Sequence, residues 1–301
     1  MADIKTIARN ISRIENRTDG YEKLLLQLDE PASAPGIIGI TGAPGAGKST
    51  IVDGLIQQII NRNKTVAVLC IDPSSPFNMG ALLGDRVRMN KWYTHKNVFI
   101  RSMASRKALG GLSPMIIEVS DYIKNTGFDF IIIETVGVGQ SEIEIAGLAD
   151  VTVVILVPES GDEIQTMKSG VMEIAGIFVV NKCDRPGADH FVKHLNSMLA
   201  PVYNRTRQQI PVIKTIAENE DGLNELFFAV ETLLKERSVP DNKYWLLAER
   251  AYQLIQAAKM ANISKEVLFN RIKEQSANIK TFNLYRFIKQ MLDKDYAKHE
   301  S

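Results

Sequence analysis

The sequence predicts an α/β fold of the P-loop NTPase class, with a mostly parallel sheet flanked by helices. From Ile37 onward, short runs rich in Ile and Val alternate with helical stretches, as in parallel sheets whose strands are connected by helices. These runs are apolar at nearly every position, which is typical of strands covered on both faces. A glycine-rich sequence follows the first of them. In such folds ligands bind at the carboxyl ends of the strands.

The composition indicates a globular protein without a broad charged surface. Of the 301 residues, 45% are hydrophobic and 24% charged, and the formal net charge is +1. We therefore expect no nucleic-acid or membrane partner. No apolar run approaches the roughly 20 residues that span a bilayer, and the first twenty residues lack a signal-peptide core. Two cysteines, Cys70 and Cys183, cannot form a disulfide framework, so we expect a cytoplasmic protein.

The chain is predicted to consist of three segments. Residues 1–35 form N-terminal helices and a linker, residues 36–238 the P-loop domain, and residues 239–301 a C-terminal helical arm. In the first segment isoleucines recur at helical spacing, namely Ile4, Ile7, Ile11 and Ile14. In the last segment large apolar residues recur every three or four positions, which predicts helices throughout.

Six strands are predicted in the central segment. They are residues 37–41, 65–72, 128–135, 151–158, 176–182 and 211–217. Because the carboxyl ends of parallel strands meet at one edge of the sheet, residues that end or follow these strands are expected to share one site.

A phosphate-binding loop is predicted between the first strand and the helical pattern that follows it. The sequence from Gly42 to Ser49 has the spacing G-x-x-x-x-G-K-[ST]. Glycines allow backbone N–H groups to surround phosphate oxygens, and the following helix directs its positive end at them. Lys48 would reach the β- and γ-phosphates, and Ser49 would bind Mg²⁺. The residues expected to contact nucleotide here are Gly42, Ala43, Pro44, Gly45, Ala46, Gly47, Lys48, Ser49 and Thr50. A glycine-rich turn that only caps a helix is the alternative.

The sequence N-K-C-D predicts selectivity for guanine. It ends the fifth predicted strand with Asn181, Lys182 and Asp184. Guanine presents adjacent N–H donors at N1 and N2, and the Asp184 carboxylate can accept both, whereas adenine has no such pair. The stem of Lys182 can cover the base. A turn that merely ends a strand is the alternative, since Asn and Asp are common there.

The next predicted strand is expected to complete the base site. Ile216, Ala217 and Glu218 follow it. The backbone at Ala217 can approach the guanine O6, although Ile216 stands where many GTPases carry serine.

Three acidic residues are candidate magnesium ligands together with Ser49. Asp72 and Glu134 end predicted strands, and Asp85 lies in the sequence G-A-L-L-G-D. A hard cation bound to nucleotide phosphates needs carboxylate oxygens, or waters held by them. We expect Lys48, Glu134 and Gly137 to act in hydrolysis, with the Gly137 N–H offered to the γ-phosphate. For each carboxylate the alternative is a helix cap or a solvated turn.

Four arginines form a basic series in the predicted switch region, namely Arg86, Arg88, Arg101 and Arg106. They are either a solvated face or a charge cluster that meets phosphates or a partner protein.

Taken together, these motifs resemble the MeaB/ArgK family of P-loop GTPases. The matching sequences include "GAPGAGKST", "IDPSSPF", "GALLGDRVRM", "FIRSMASR", "ETVGVGQSE", "SGDEIQTMKSG" and "NKCD", between Gly36 and Gly222. The resemblance implies a Mg-dependent GTPase that binds GTP and GDP. It also implies a chaperone that assists cofactor loading and protection of an adenosylcobalamin-dependent acyl-CoA mutase of the methylmalonyl-CoA mutase type.

The resemblance also implies roles for individual segments. Ser49, Asp72, Asp85 and Glu134 are expected around Mg²⁺, residues 160–170 are expected to communicate with the mutase, and the C-terminal helices are expected to form a homodimer. Met79, Lys107 and Ile216 depart from the family pattern. We expect slow intrinsic turnover, stimulated by the partner, because the sequence places no evident arginine finger or water-orienting glutamine.

Three other functions remain open at this point. A nickel-delivery GTPase would use metal ligands such as His190 and His194, which are four residues apart and would share one helix face. These two lack a cysteine or carboxylate partner at suitable spacing. A protein kinase would need a site for a substrate hydroxyl and a base, and neither is evident. A binding module with negligible hydrolysis is the last alternative.

Overall fold

The structure is a computed structural model of the 301-residue chain. It describes residues 3–29, 31, 33–72, 89–105, 113, 115–137, 141–159, 174–206, 209–236, 244, 248, 250–252, 254–256, 259, 265–278 and 283–296.

A single parallel sheet organises the first part of the chain. Its strands are Gly36–Gly42 (β1), Val66–Asp72 (β2), Val98–Ala104 (β3), Phe130–Glu134 (β4), Val151–Leu156 (β5), Ile177–Val180 (β6) and Val212–Lys214 (β7). In the described chain they form seven strands in the order β3-β2-β4-β1-β5-β6-β7, and every neighbouring pair is parallel. Because β1 lies centrally and the order reverses beside it, the loop after β1 opens into the crevice where such sheets bind ligands.

The predicted fold class is confirmed, with one strand more than the sequence analysis identified. All six predicted strands are present within a few residues of their expected bounds. The strand that was missed is β3, at the edge of the sheet. Its sequence V-F-I-R-S-M-A carries Arg101 and Ser102 at its centre, so it lacks the continuous apolar character of a strand covered on both faces.

Helices of the first part of the chain, up to residue 246, cover both faces of the sheet, and further helices follow in residues 247–301. In the described chain they are Ile4–Asn16 (α1), Tyr21–Leu26 (α2), Lys48–Asn61 (α3), Ile116–Lys124 (α4), Ser141–Leu148 (α5), Ala188–Thr206 (α6), Leu223–Lys235 (α7), Lys265–Asn278 (α8) and Leu284–Tyr296 (α9). Short 3₁₀ turns occupy Asn90–Trp92 and Ala217–Asn219. Helices α3 and α7 pack on one face, and α1, α4, α5 and α6 contribute to the cores on the other. Among the helices that the structure describes, none combines the length and the apolar sequence that a membrane span requires.

The N-terminal helix α1 is part of the core of the first unit. Its predicted apolar stripe, formed by Ile7, Ile11 and Ile14, is fully buried in the cluster that also contains residues of α4 and of the sheet. The Asp3 side chain accepts a hydrogen bond from the Thr6 N–H at 3.1 Å, a capping contact that fixes where the helix begins.

Arg101 ties the edge strand β3 to α1. Its guanidinium forms an ion pair with Glu15 and also donates to the Ser12 hydroxyl at 3.1 Å. The Glu15 side chain is only 10% exposed. Arg101 therefore has a role that neither alternative for the arginine series described, because its charge is used in packing α1 on the sheet. Arg86, Arg88 and Arg106 lie outside the described residues.

The chain divides into two compact units, residues 1–246 and 247–301. In the second, the described residues between 248 and 259 are helical and are followed by α8 and α9. Several of its large apolar side chains are exposed, namely Tyr252, Leu254, Ile255, Phe269, Leu284, Tyr285 and Ile288. The segment boundaries at residues 36 and 239 stay predictions.

Replacing Arg101 by alanine should destabilise the fold through α1. The substitution removes the cation beside a nearly buried carboxylate, which should lower the free energy of unfolding by about 1–3 kcal/mol. Lys124→Ala is the control, since it breaks a more exposed pair with Asp121 within one turn of α4 and should cost no more than about 1 kcal/mol. Urea unfolding of both variants measures the difference, and equal losses would contradict this role for Arg101.

Candidate nucleotide-binding site

One cavity lies at the carboxyl ends of the central strands. Its volume is 590 Å³, within the range of small-molecule sites. The last residues of β2 and the loops after β1, β4, β6 and β7 contribute to it. The residues that line it are Pro44, Gly45, Gly47, Lys48, Ser49, Thr50, Ile71, Asp72, Glu134, Thr135, Val136, Asn181, Lys182, Asp184, Arg185, Ile216, Ala217 and Glu218.

The loop between β1 and α3 has the backbone conformation of a phosphate cradle. Gly42, Gly45 and Gly47 adopt positive φ angles of 140°, 79° and 95°, which glycine reaches without the steric cost of a β-carbon. A side chain at Gly42 would overlap the carbonyl oxygen of Ile155 on the neighbouring strand. Helix α3 begins at Lys48, so its N-terminal N–H groups and positive end face the cavity.

Lys48 is nearly buried and directed back onto the loop. Its ammonium donates to the carbonyl oxygens of Gly42 at 2.8 Å and Ala43 at 3.0 Å. These contacts hold the positive charge at the wall of the cavity, beside the phosphate loop. The arrangement suits a cation that neutralises phosphate oxygens.

Glu134 contacts the phosphate loop directly. The Ser49 hydroxyl donates to its carboxylate at 2.7 Å, and both side chains are buried. In the sheet Glu134 lies opposite Cys70, so Asp72 ends the neighbouring strand two residues further along. The hydroxyl and the two carboxylates all line the cavity.

This donor set fits Mg²⁺. The ion prefers oxygen ligands and usually takes one or two protein carboxylates, with waters and substrate phosphates completing its coordination. Ser49, Asp72 and Glu134 supply such oxygens beside the phosphate loop. Asp85, the fourth predicted ligand, lies outside the described residues. Among the residues that the structure describes, no group of three or more His, Cys, Asp and Glu side chains is placed to bind a metal by itself.

The turn after Glu134 packs against the phosphate loop at Gly137. This residue has a φ of 85°, and a β-carbon there would overlap the Gly42 carbonyl oxygen and approach the Lys48 ammonium at 2.6 Å. The same turn is held at its start, where the Thr135 hydroxyl donates to that of Thr41 at 2.9 Å. Gly137 is therefore required for the close approach of the two backbones, and it lies beside the phosphate end of the cavity.

Asn181 joins the base end of the cavity to the phosphate end. Its amide nitrogen donates to the Ala46 carbonyl at 2.9 Å. Its amide oxygen accepts from the Thr215 hydroxyl at 3.0 Å and from the Ala217 N–H at 3.1 Å. Three loops are thus linked through one buried side chain. The Ala217 N–H that was expected near the guanine O6 is engaged with Asn181 in this structure.

Lys182 and Asp184 border the open part of the cavity. Lys182 has a left-handed backbone, with φ at 59°, and its ammonium donates to the Gly45 carbonyl at 2.8 Å. Its stem therefore extends over the phosphate loop, and the methylene groups of the stem offer an apolar surface to a base. Asp184 lines the cavity and is exposed, so its carboxylate is accessible to N–H donors.

Arg185 was not predicted as a site residue, yet it also lines the cavity. Its guanidinium donates to the Glu159 carboxylate at 2.5 Å. This hydrogen bond lowers the pKa of Glu159 and raises the pKa of Arg185. Ile71, Thr135 and Val136 are the other lining residues that sequence reasoning missed, each adjacent to a predicted one.

The structure brings most of the predicted residues into one place. Gly42, Ala43 and Ala46 form the backbone of the phosphate loop without lining the cavity, and Gly137 packs behind it. His190 and His194 are exposed on α6 and do not line this cavity. Residues 160–170, expected to communicate with a partner, lie outside the described residues.

Comparison with known proteins identifies one family. The model of the family described as methylmalonyl-CoA mutase-associated GTPase MeaB matches residues 7–277. A Pyrococcus abyssi protein named as a GTPase is 43% identical over 228 residues, 75% of this chain and 70% of that protein. GTPase ArgK of Escherichia coli is 34% identical over 235 residues, 75% of this chain and 70% of ArgK.

Two further comparisons concern a longer fused protein and a solved structure. A protein of Geobacillus kaustophilus named fused isobutyryl-CoA mutase is 34% identical over 250 residues, which is 78% of this chain and 23% of that protein. The crystal structure of an LAO/AO transport system kinase matches with a TM-score of 0.63 and 22% identity, covering 98% of this chain and 99% of that one. At this identity the structural match shows the fold alone.

Substituting Gly137 by alanine should destabilise the nucleotide-free protein more than the same change at Gly45. Both residues have positive φ angles, which cost alanine about 1–2 kcal/mol, but a β-carbon at Gly45 meets open space. At Gly137 the overlap with the Gly42 carbonyl should add about 1–3 kcal/mol. Thermal unfolding of both variants measures this, and equal melting temperatures would contradict the packing of this turn on the phosphate loop.

Proposed function

The chain belongs to the family of methylmalonyl-CoA mutase-associated GTPases, and from that premise we propose that it is a Mg-dependent chaperone of an adenosylcobalamin-dependent acyl-CoA mutase. The observation that carries the GTPase part of this proposal is the cavity in which a phosphate loop, two carboxylates and an N-K-x-D sequence meet. GTP binding and hydrolysis there would control its action on the mutase.

The two ends of the cavity have different roles in this proposal. At one end, Asp184 accepts the N1 and N2 donors of guanine while the stem of Lys182 covers the ring. At the other end, the N–H groups of residues 42–50 and the Lys48 ammonium bind the phosphates. Asn181 fixes the distance between the two ends, because its hydrogen bonds reach both loops.

Hydrolysis would take place beside Glu134. Ser49 and Asp72, with Glu134, would hold Mg²⁺ directly or through water, and the ion would neutralise charge that develops on the phosphates. Gly137 would present its N–H to the γ-phosphate, next to Lys48. The Ser49–Glu134 hydrogen bond pre-orders these oxygens, which lowers the cost of organising them on nucleotide binding.

A mutase partner is supported by the relatives rather than by the cavity. In one relative, the fused isobutyryl-CoA mutase, a stretch of 250 residues similar to this chain forms part of the same polypeptide as the named mutase. Linking a GTPase-like segment and a mutase in one chain keeps the two at high effective concentration, which favours a joint function. We propose that the mutase contacts residues 160–170 and stimulates an intrinsically slow GTPase by completing its charge-stabilising groups.

We also propose a homodimer and a cytoplasmic location. The apolar side chains exposed on the second unit, Phe269 and Tyr285 among them, are more than an isolated helical segment usually leaves to solvent, and a second copy could bury them. The location rests on the two cysteines, Cys70 and Cys183, neither of which forms a disulfide, as in proteins of reducing compartments.

Glu134→Ala should retain GTP binding and lose Mg-dependent turnover. The substitution removes a carboxylate at the proposed metal site but leaves the guanine contacts and Lys48 intact, so the turnover number should fall by about a hundredfold or more. Glu118→Gln is the matched control, because Glu118 is also a buried acid but lies on α4 away from the cavity. Phosphate release with and without Mg²⁺ measures the effect. Native turnover in Glu134→Ala would refute the assignment.

An adenosylcobalamin-dependent mutase should stimulate GTP turnover by the native chain. By analogy with activators that order the γ-phosphate loops, we expect an increase of about tenfold or more. Asp162→Ala, Gln165→Ala and Lys168→Ala should reduce the stimulation while leaving the basal rate unchanged. Both methylmalonyl-CoA and isobutyryl-CoA mutases should be assayed, with an unrelated cobalamin-independent enzyme as control. Failure of both mutases to stimulate would remove the chaperone function and leave the GTPase assignment intact.

A further inference from the structure

We propose that Arg185 is a further nucleotide-binding residue, which covers the base end of the cavity and slows nucleotide release while Glu159 holds it in position. This inference rests on the proposed binding of a guanine nucleotide in the cavity, and it assigns a function to two residues outside the N-K-x-D sequence.

The position of Arg185 places it at the base rather than at the phosphates. It directly follows Asp184, and both line the cavity together with Lys182 and Ala217. Its partner Glu159 lies in a different loop, three residues beyond the last residue of β5. The ion pair therefore reaches from the loop after β5 to the loop after β6, at the rim of the cavity.

The chemistry of the side chain suits the face of a purine. An arginine carries a planar, delocalised and weakly hydrated cation that stacks on aromatic rings. Stacking does not depend on the pattern of donors and acceptors at the edge of the base. Asp184 would therefore select guanine by accepting from the N1 and N2 donors of that base. Arg185, in contrast, would retain any purine that occupies the site.

Glu159 acts as a positioning residue in this arrangement. The two side chains are 44% and 52% exposed, and such a pair contributes little to the stability of the fold. An exposed arginine otherwise samples many rotamers, and ordering it on nucleotide binding costs conformational entropy. A hydrogen bond of 2.5 Å to Glu159 restricts the guanidinium before the nucleotide arrives.

A second ion pair nearby provides a matched control. The Lys214 ammonium contacts the Asp189 carboxylate at 2.5 Å, and both side chains are more than half exposed. This pair links the helix after β6 to a neighbouring strand, since Asp189 lies on α6 and Lys214 on β7. Neither residue lines the cavity. Its loss should reproduce any general effect of breaking a surface ion pair without affecting the nucleotide.

Release of fluorescent GDP and IDP from the full chain tests the proposal. In Arg185→Ala the release rates of both nucleotides should rise by about tenfold, whereas Arg185→Lys should fall between native and alanine. Glu159→Gln should give a rise of about two- to fivefold, and no further rise when added to Arg185→Ala. Lys214→Ala should release both nucleotides at native rates. Asp184→Asn, in contrast, should change the ratio of GDP to IDP affinity.

The outcomes separate this inference from the proposed function. Native release rates in Arg185→Ala, or equal effects of Arg185→Ala and Lys214→Ala, would overturn the role of Arg185 while guanine binding stands. A rise for GDP but not for IDP would show edge recognition and overturn stacking. An added effect of Glu159→Gln in the Arg185→Ala background would overturn the positioning role. If the native chain bound ADP as tightly as GDP, the guanine site itself would be wrong.

Discussion

The hydrogen bonds of Asn181 are the interaction on which the rest of the nucleotide site depends. The phosphate loop and the base loop lie 135 residues apart at the Ala46–Asn181 contact, and a nucleotide can be bound only if the two are fixed relative to each other. Asn181 is buried and uses both amide atoms to contact Ala46, Thr215 and Ala217. Gly47 must lack a side chain for the same reason, because a β-carbon there would overlap the Asn181 amide nitrogen.

The parallel sheet sets the remaining constraint. Since all the strands run in one direction, the residues that end β1, β2 and β4 emerge at one edge. Asp72 and Glu134 end their strands beside the loop that carries Ser49. A run as hydrophobic as β4 therefore finishes on a carboxylate because its last residue leaves the core and enters the site. The glycine three residues later allows the turn to pack on the phosphate loop.

The site was more predictable from sequence than the way it is held together. The phosphate loop, Glu134 and the N-K-x-D residues could be identified because their chemistry demands fixed spacing. The strand β3 was missed because Arg101 and Ser102 interrupt its apolar pattern. The partners of Arg101 and Arg185 lie on α1 and beyond β5, and contacts of that kind follow from tertiary packing rather than from local pattern. The family resemblance is confirmed, whereas the mutase and the dimer remain proposals.

The most direct measurement is a crystal structure of the chain with GDP and Mg²⁺. It should show the base between Lys182 and Ala217, with Asp184 at N1 and N2 of guanine and the Asn181 bridge to Ala46 preserved. Ser49 should bind the metal, and Asp72 and Glu134 should contact it directly or through water. A base that makes no contact with Asp184, or a nucleotide bound outside this cavity, would contradict the account.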